Sequence, residues 1–473
     1  MIRLDEQVVK SKLEREAERL FRKYKPYMEI LESKTLLPKF RKIGTMDYWA
    51  LGKMLESVDN MIRLCEADGS VADLGLLPRI ARDVVTISYG TSPISVIASV
   101  QPQDEEIGIV YYKAVRVTSG SPSTPAGTTI ASALGDWYTP VAFANTENSE
   151  VIGTGDGVTK SFSAILLYKP VRPGTVVVQA GDVTGRDVDQ NGKIIGEGIK
   201  SGSIDYTTGQ ISIEFDEAPV TGVSVVCIYW ASAESVSLGL RELNYELVST
   251  VVRAKIYALK GVTGLFKSYA MQKRFGIAAE EELAIDLINA INSEICGDLI
   301  KKINASVPGN ANVVWSVSTP AGVSYFEHKQ SLKDAFAGAE RKIIENAKRG
   351  NISFIIAGTG VASVLRTLFG WETIYEGHGI ATAHLFGRID GIPVIRVTDT
   401  SVLDPNVAIC GYKGPSAFEA PAVFAPYMPL TVTNVLPTPH PLVTQRAAAV
   451  WAAVEVLVKN FLSKLTITGT YPY

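Results

Sequence analysis

The chain has 473 residues and a mass of 51.0 kDa, which at roughly 150 residues per domain predicts two to four structural units. Apolar residues make up 46% and charged residues 20%, so the chain can bury a core and is not a disordered polypeptide. The formal net charge of −3 argues against a protein that binds nucleic acid electrostatically over its whole surface.

The spacing of cysteine and histidine excludes the common metal and redox motifs. Cys65, Cys227, Cys296 and Cys410 stand far apart without a C-x-x-C pair, which fits buried thiols in a reducing compartment. The histidines form no HExxH motif, no apolar stretch is long enough to cross a bilayer, and the charged start does not resemble a signal peptide. We therefore expect a soluble cytoplasmic product without a catalytic set, a cofactor or a metal.

Two helices are predicted at the start of the chain. Over residues 1–35, apolar residues recur at three- and four-residue spacing, and Arg and Glu of mixed sign fill the other positions. The apolar stripe consists of Val9, Leu13, Ala17, Leu20 and Tyr24. The pattern predicts either a helix with a solvated charged face or an amphipathic arm that docks on a neighbouring subunit. A second helix is predicted over 46–65, before a break near Gly69.

Two strands and a loop are predicted next. Val84–Tyr89 and 109–115 are rich in β-branched and aromatic residues, which favours strands. Residues 118–129 contain only small residues and proline, which is typical of an extended loop.

Residues 151–232 have the composition of a self-contained antiparallel β domain. Twelve of them are glycine, and turns such as Asn191-Gly192 separate short alternating segments. These segments are 175–179, 211–215 and 224–230. Because helical periodicity resumes afterwards, we interpret the domain as an insertion into a host chain.

The strongest helical pattern lies at residues 278–303. Leu or Ile recurs there every four residues, and acidic residues at the start and lysines at the end suit the helix dipole. The recurring residues are Leu283, Leu287, Ile291, Ile295 and Leu299. At about 1.5 Å per residue the helix would be about 39 Å long, and its apolar stripe requires a sheet to pack on.

Helices and strands alternate in the last third of the chain. Helices are predicted over 332–348 and 361–369, and strands over 354–357, 394–397 and 407–410. Residues 447–468 are ambiguous, because the Ala-rich start resembles a helix and 465–468 resembles a strand.

Several motifs approach known binding sites but miss a required residue. Gly358-Thr359-Gly360 follows a predicted strand and opens a helix, as in a dinucleotide fingerprint, but Ser363 replaces the third glycine. The segment 155–161 lacks the glycine that a phosphate loop needs before its Lys, and the turn at 187–192 lacks the bidentate Glu of a calcium loop. His378 and His384 have no metal-ligand spacing. We interpret each motif as a turn or loop.

Short blocks resemble the major capsid protein of T-even-like tailed phages. Ala258-Leu259-Lys260 precedes 275–283 (FGIAAEEEL) at the spacing by which that family passes from a strand, through a His-Gly turn, into a long spine helix. Phe275 replaces the usual His before Gly276. The other blocks follow in the family's order: 99–102 (SVQP), 350–357 (GNISFIIA), 411–414 (GYKG) and 424–430 (FAPYMPL).

The resemblance implies an α+β chain with the Hong Kong 97-type capsid fold and an inserted all-β domain. That fold has an N-terminal arm, an extended β loop, a peripheral domain built on the spine helix, and an axial domain. The expected divisions are 1–80 (helical N-terminal arm), 81–150 (first peripheral strands and extended loop), 151–232 (inserted β domain), 233–350 (return strands and spine helix), 351–446 (axial domain and connection) and 447–473 (return to the peripheral domain).

The resemblance further implies a structural protein that self-assembles into the icosahedral head shell of a tailed phage and encloses double-stranded DNA. The implied partners are further copies in hexamers and pentamers, other capsid and portal proteins, and packaged DNA bound weakly and without base specificity; no membrane is involved. The implied location is the virion, after assembly in the host cytoplasm. One alternative is an encapsulin-like compartment, which shares the fold. Another is a dinucleotide-dependent enzyme using Gly358 and Gly360.

A maturation protease of T-even-like phages cuts after a Glu that follows an aliphatic residue two positions earlier. Leu64-Cys65-Glu66-Ala67 matches this rule, which makes Glu66 and Ala67 the candidate cleavage site; 30–32 (ILE) also matches. We nevertheless expect the arm to be kept. Its predicted contacts with its own or a neighbouring subunit are Val9, Leu13, Leu20 and Tyr24.

Overall fold

A computed structural model describes residues 12–67, 78–118, 127, 129–132, 147–232, 243–276, 278–347, 350–374, 382–414, 419–433, 436–437 and 442–469. The chain divides into two compact units. The larger unit comprises Met1–Tyr112, Ala133–Asp136 and Val248–Tyr473, and the smaller unit comprises Lys113–Ser132 and Trp137–Leu247. Helices and strands both contribute, so the fold class is α+β.

The helices of the described residues lie in the larger unit. They are α1 (Lys12–Lys23), α2 (Lys25–Lys34), α3 (Leu37–Phe40), α4 (Thr45–Ala67), α5 (Pro78–Thr91), α6 (Ile94–Ile97), α7 (Leu265–Phe275), α8 (Ala279–Ser306), α9 (Tyr325–His328), α10 (Leu332–Ala347) and α11 (Thr359–Leu365). Short 3-10 turns lie at Gly309–Ala311, Lys329–Ser331 and Lys459–Phe461.

The strands are distributed over both units. They are β1 (Ser99–Val100), β2 (Ile107–Val117), β3 (Thr129–Ser132), β4 (Glu147–Thr154), β5 (Ser161–Ile165), β6 (Val177–Ala180), β7 (Val183–Arg186), β8 (Ile199–Ile204), β9 (Gln210–Phe215), β10 (Ser224–Trp230), β11 (Leu243–Arg253), β12 (Lys255–Gly264), β13 (Asn312–Ser316), β14 (Phe354–Ala357), β15 (Trp371–Thr373), β16 (Ala383–Ile389), β17 (Ile392–Val397), β18 (Val407–Gly411), β19 (Ala422–Val432), β20 (Leu436–Pro437), β21 (Val443–Val456) and β22 (Leu462–Thr468).

The main core of the larger unit lies between helices and a five-stranded sheet. The strands β1, β19, β21 and β12 lie side by side in this order, and β20 pairs with β21. Tyr257 of β12 and Val450 of β21 belong to the same buried apolar cluster as Ile291 of α8. Leu20 and Leu51 enter this cluster from α1 and α4, so residues of the predicted arm form part of the main core.

A second sheet of the larger unit has seven strands in the order β13, β22, β18, β14, β17, β16 and β15. Every residue of β14 is buried, as expected for a central strand covered on both faces. Helix α10 packs here through Leu332, Phe336 and Ile343, which belong to an apolar cluster separate from the main core. The larger unit therefore has two hydrophobic cores.

The smaller unit has a core of its own. Its strands form a four-stranded sheet (β4, β10, β6, β7) and a three-stranded sheet (β5, β9, β8). The buried residues of this core all lie between Phe162 and Ala231, and include Phe215 and Tyr229. Gly192 shows why glycine marks the turns: its φ is +80°, and a Cβ there would lie 2.5 Å from the Ile204 carbonyl oxygen.

The strand predicted at Val84–Tyr89 is wrong, because these residues lie inside helix α5. Ala81, Val85 and Tyr89 are buried at four-residue spacing, which is the helical period. The Thr86 hydroxyl donates to the Arg82 carbonyl oxygen at 2.9 Å, as β-branched Thr commonly does within a helix. Tertiary packing therefore overrides the β propensity of this short segment.

Two further predictions need correction. The Ala-rich segment 447–454 is part of strand β21, which pairs with β12 on one side and β19 on the other, and its alternate residues Ala448, Val450 and Ala452 are buried. The single helix expected over 1–35 is two helices, α1 and α2, separated at Tyr24; Pro26 at the start of α2 is tolerated there because that position needs no helical N–H donor.

Candidate assembly elements

Helix α8 is the spine helix predicted from the sequence, and we keep that name for it. Its apolar stripe packs on β12 and β21. Leu287, Ile291, Ile295 and Leu299 are buried, and all four belong to the main core. Leu283 is partly buried, and a Cβ at Gly261 of β12 would lie 2.6 Å from its Cδ1, so helix and strand touch closely at this point.

Polar side chains fasten the spine helix to the same sheet. The Tyr257 hydroxyl donates to Asp298 Oδ2 at 3.0 Å. Lys302 Nζ donates to the Val454 carbonyl oxygen at 2.6 Å and to Glu455 Oε1 at 2.7 Å. Because these contacts involve both β12 and β21, they fix the register of the helix along the sheet as well as its distance from it.

The N-terminal helices are held in the larger unit by an apolar stripe and a charged ladder. Leu20 and Tyr24 are buried, Leu13 is partly exposed, and Val9 lies outside the described residues. The Tyr24 hydroxyl donates to Asp59 Oδ2 at 2.6 Å. Burial and this carboxylate raise the Tyr24 pKa well above its ordinary value, so the phenol remains a donor.

The charged ladder joins α1, α4 and α5. Glu16 of α1 pairs with Lys53 of α4 at 2.8 Å, and Asp59 of α4 pairs with Arg82 of α5 at 2.7 Å. Partly exposed ion pairs of this kind contribute about 1 kcal/mol or less each, so they set the alignment of the helices more than their stability.

A buried polar cluster connects the loop before α4 with α5. The Arg41 guanidinium donates to both oxygens of Asp47, at 2.7 and 2.5 Å, in a bidentate pair. The Tyr89 hydroxyl donates to Asp47 Oδ1 at 2.7 Å, and the Gly44 N–H to Oδ2 at 3.0 Å. Burial raises the Asp47 pKa, but the hydrogen bonds and charge of Arg41 outweigh it and hold that pKa below its ordinary value.

Lys413 extends this cluster to a distant part of the chain. Its ammonium donates to the carbonyl oxygens of Ser95 and Ala98, at 2.6 and 2.7 Å, and Arg41 Nη2 donates to the same Ser95 oxygen at 3.2 Å. Burial lowers the Lys413 pKa to about 7; the Arg41 charge adds to this effect and Asp47 opposes it. Asp47 is thus the anion that balances two neighbouring cations.

The sequence pattern does not predict this cluster. Lys413 stands out only as part of the 411–414 block, and Arg41 and Asp47 lie in a region interpreted as an arm. The one local signal is the spacing from Arg41 to Asp47 across Gly44 just before a helix, which is compatible with a capping carboxylate. Residues so far apart along the chain are brought together only by the tertiary fold.

The candidate cleavage site lies at the end of helix α4. Glu66 and Ala67 occupy its last turn, and their side chains lie outside the described residues, so cutting at this bond stays a prediction. Residues before the bond contribute a large part of the main core. They include Leu20, Met28, Leu31, Leu37, Phe40, Leu51, Leu55 and Val58, each at most 3% exposed.

The glycines of the candidate dinucleotide motif perform a packing role. A Cβ at Gly358 would lie 2.3 Å from the Asp404 carbonyl oxygen. The N–H groups of Gly360 and Val361 donate to the Pro405 carbonyl oxygen at 3.0 and 3.1 Å. The donors that would hold a pyrophosphate are therefore already occupied by the protein itself.

The other candidate ligand residues have structural partners. Asp187 Oδ2 accepts hydrogen bonds from the Tyr206 hydroxyl and the Gly174 N–H. His384 Nε2 accepts from Arg396 Nε at 3.2 Å, and burial lowers the His384 pKa to about 4, which keeps the ring neutral. His378 lies outside the described residues. Among the residues that the structure describes, no group of three or more His, Cys, Asp or Glu side chains could hold a metal ion.

Two further predictions concern cysteines and membranes. Cys227, Cys296 and Cys410 are free, buried thiols, and burial raises the pKa of each. In the described parts of the chain, no helix is both long enough and apolar enough to cross a membrane.

Comparisons with solved structures find phage capsids and related shells. A structure from Mycobacterium phage Adephagia is 11% identical, with a TM-score of 0.34 over 51% of this chain and 80% of that one. A capsid structure of cyanophage P-SCSP1u gives 11% identity and a TM-score of 0.32 over 51% and 80%. An encapsulin complex from Synechococcus elongatus gives 10% and 0.31 over 49% and 81%. No curated protein sequence matches the chain.

The comparison with protein families is decisive. The family described as major capsid protein Gp23 matches residues 81–451, which is most of the chain. This match confirms the resemblance found in the short sequence blocks, and the α+β architecture is accordingly of the Hong Kong 97 type. It decides against both the encapsulin-like compartment and the dinucleotide-dependent enzyme. The chain belongs to the family of the major capsid protein Gp23, whose members are structural, non-enzymatic subunits of phage head shells.

Proposed function

We propose that the chain forms hexamers and pentamers of an icosahedral head, which is assembled in the host cytoplasm and encloses packaged double-stranded DNA. The family match carries this proposal. Such a shell is held by many modest contacts repeated by symmetry, so no single subunit interface needs high affinity. Other capsid proteins and a portal protein are its further partners in the particle.

Contact between the shell and DNA is weak and independent of base sequence in this proposal. Residues 1–67 carry 14 basic and 11 acidic side chains, and residues 151–232 carry six basic and nine acidic ones. An acidic domain is repelled by DNA phosphates, so we place residues 151–232 on the outer surface of the shell. Isolated subunits should therefore bind DNA poorly at physiological salt. Submicromolar binding in a filter or anisotropy assay would contradict this part of the proposal.

We further propose that the N-terminal helices are kept in the assembled subunit. Two observations support this. Residues of these helices form part of the main core, and Asp47, which is paired with Arg41, accepts a hydrogen bond from Tyr89, a residue that follows the candidate cleavage site. If the bond between Glu66 and Ala67 were cut, release of these helices would still expose many buried apolar side chains to water, which is unfavourable.

Intact-mass spectrometry of purified particles tests this retention. We expect a species in which residues 1–66 are still covalently attached to the rest of the chain. A species that begins at Ala67 and lacks the N-terminal fragment would contradict retention and would assign these helices a role confined to assembly.

Two tests address the shell function itself, one with the purified chain, with and without added scaffold, and one with particles from infected cells. Particles should sediment as a discrete fast species on a density gradient, and DNA within particles from infected cells should resist added nuclease. A chain that remains monomeric under all assembly conditions, including molecular crowding and added scaffold, would contradict the proposal.

A further inference from the structure

Helix α7 exposes large apolar side chains. None of its 11 residues is buried. Leu265, Phe266, Tyr269 and Phe275 are 56%, 75%, 62% and 69% exposed. A helix of this length is marginal in water on its own and normally depends on packing of an apolar face. Clustered exposed aromatics therefore mark a surface that another molecule covers.

The charges of α7 have one sign. Lys267, Lys273 and Arg274 are exposed, and the helix contains no acidic residue. Among the described residues, neither Lys267 nor Arg274 has an ion-pair partner. Two copies of α7 facing each other would bring like charges together, which is unfavourable.

The segment that follows α7 has the opposite charge. Gly276 ends α7 in the left-handed conformation, with a φ of +69°, and the spine helix begins three residues later. Glu281, Glu282 and Asp286 are exposed on its first turns, beside Ile285, which is 51% exposed. In the described part of the chain these three carboxylates likewise have no ion-pair partner.

We propose that α7 and the first turns of the spine helix (residues 265–286, here called the two-sign patch) form a contact between two copies of this chain around a two-fold axis. A two-fold axis places the basic half of one copy on the acidic half of the other. The exposed apolar side chains, Phe266, Tyr269, Phe275 and Ile285, then lie between the two sets of charges. A patch with this arrangement is complementary to itself, which is the requirement for an isologous interface.

A second copy of the chain is the occupant favoured by the charge pattern. A nucleic acid would be attracted to α7 but repelled by Glu281, Glu282 and Asp286. A shell also places copies of the subunit beside one another at high local concentration. The inference rests on the shell-forming function, and the test below separates the two.

Charge reversal in two steps tests the contact. Lys267→Glu with Arg274→Glu makes the patch predominantly acidic, and Glu282→Lys with Asp286→Lys makes it predominantly basic. Each pair alone should abolish or strongly reduce assembly, measured as the fraction of chain in particles by sedimentation. All four substitutions in one chain leave the exposed side chains of α7 with a net charge of −1 and those of residues 281–286 with +1, so the two halves again have opposite signs and assembly should recover relative to either pair alone. Lys301→Glu, near the C-terminal end of the spine helix and outside the two-sign patch, is the matched control and should assemble normally.

The Phe266→Ser variant tests the apolar part of the contact without changing any charge. Because Phe266 is exposed in the single chain, the unassembled protein should keep its unfolding midpoint while the assembled fraction falls. Normal assembly of Phe266→Ser and of both charge-reversed pairs, alongside wild-type shells, would overturn the contact and leave the shell function intact. The two-fold arrangement would also be overturned if the quadruple variant does not regain assembly although circular dichroism shows that the unassembled protein is folded. Wild-type protein that forms no shell would refute the function as well.

Discussion

Replacing Ile291 by Asp tests the packing of the spine helix directly. Ile291 is fully buried in the main core. The substitution loses about 2–3 kcal/mol of apolar burial and places a carboxylate in a site without a cationic partner, at a cost of several kcal/mol more. The total of roughly 5 kcal/mol or more approaches the whole stability of an ordinary domain, about 5–15 kcal/mol. We therefore expect Ile291→Asp protein to be insoluble or to lose its cooperative unfolding transition.

The assay is urea unfolding of the unassembled chain followed by circular dichroism. Asn289→Asp is the matched control, since it introduces the same group at a nearby, exposed position of the same helix. The control should keep the wild-type midpoint to within the effect of an ordinary surface substitution, about 0.5 kcal/mol. Equal midpoints for Ile291→Asp and Asn289→Asp would show that the Ile291 face of the helix is not buried and would refute the packing described above.

Three further outcomes are expected. The Lys413 pKa is lowered to about 7 in the folded chain, so between pH 7 and pH 10 the unfolded state binds more protons at this residue. The unfolding free energy of the wild type should therefore rise with pH in this range relative to Lys413→Met; parallel pH profiles would contradict the lowered pKa of the Lys413 amine. Asp47→Asn leaves Arg41 and Lys413 without their balancing anion and should cost about 3–5 kcal/mol in urea unfolding at pH 7, whereas a loss below about 1 kcal/mol would show that the pair is well solvated. Replacing residues 152–231 by a short Gly-Ser linker should leave the larger unit folded, because the buried residues of the smaller unit's core lie within that segment; loss of the circular-dichroism signal of the helices would contradict this.

The sequence pattern predicts those elements whose burial follows a regular period. The spine helix, predicted over 278–303, is Ala279–Ser306, because its apolar residues recur at the helical period along one face. Strands β10 and β14 have the bounds that the sequence predicts, since each is a short run rich in β-branched and aromatic residues. In these segments, local propensity and tertiary environment agree.

Prediction fails where distant contacts decide the conformation. Alanine is a strong helix former, yet 447–454 is a strand because β12 and β19 pair with it on both sides. Helix α7 is absent from the sequence prediction, since its apolar residues face solvent in the single chain and show no buried periodicity. The Lys413 cluster joins four separate segments, so no local pattern could indicate it.

Electron microscopy of the purified, assembled chain shows directly whether it forms the proposed head shell. We expect closed icosahedral shells built from hexamers and pentamers of this chain, with density for the N-terminal helices in each subunit. Particles of any other architecture, or folded protein that remains monomeric under all assembly conditions, including added scaffold, would contradict the proposed function.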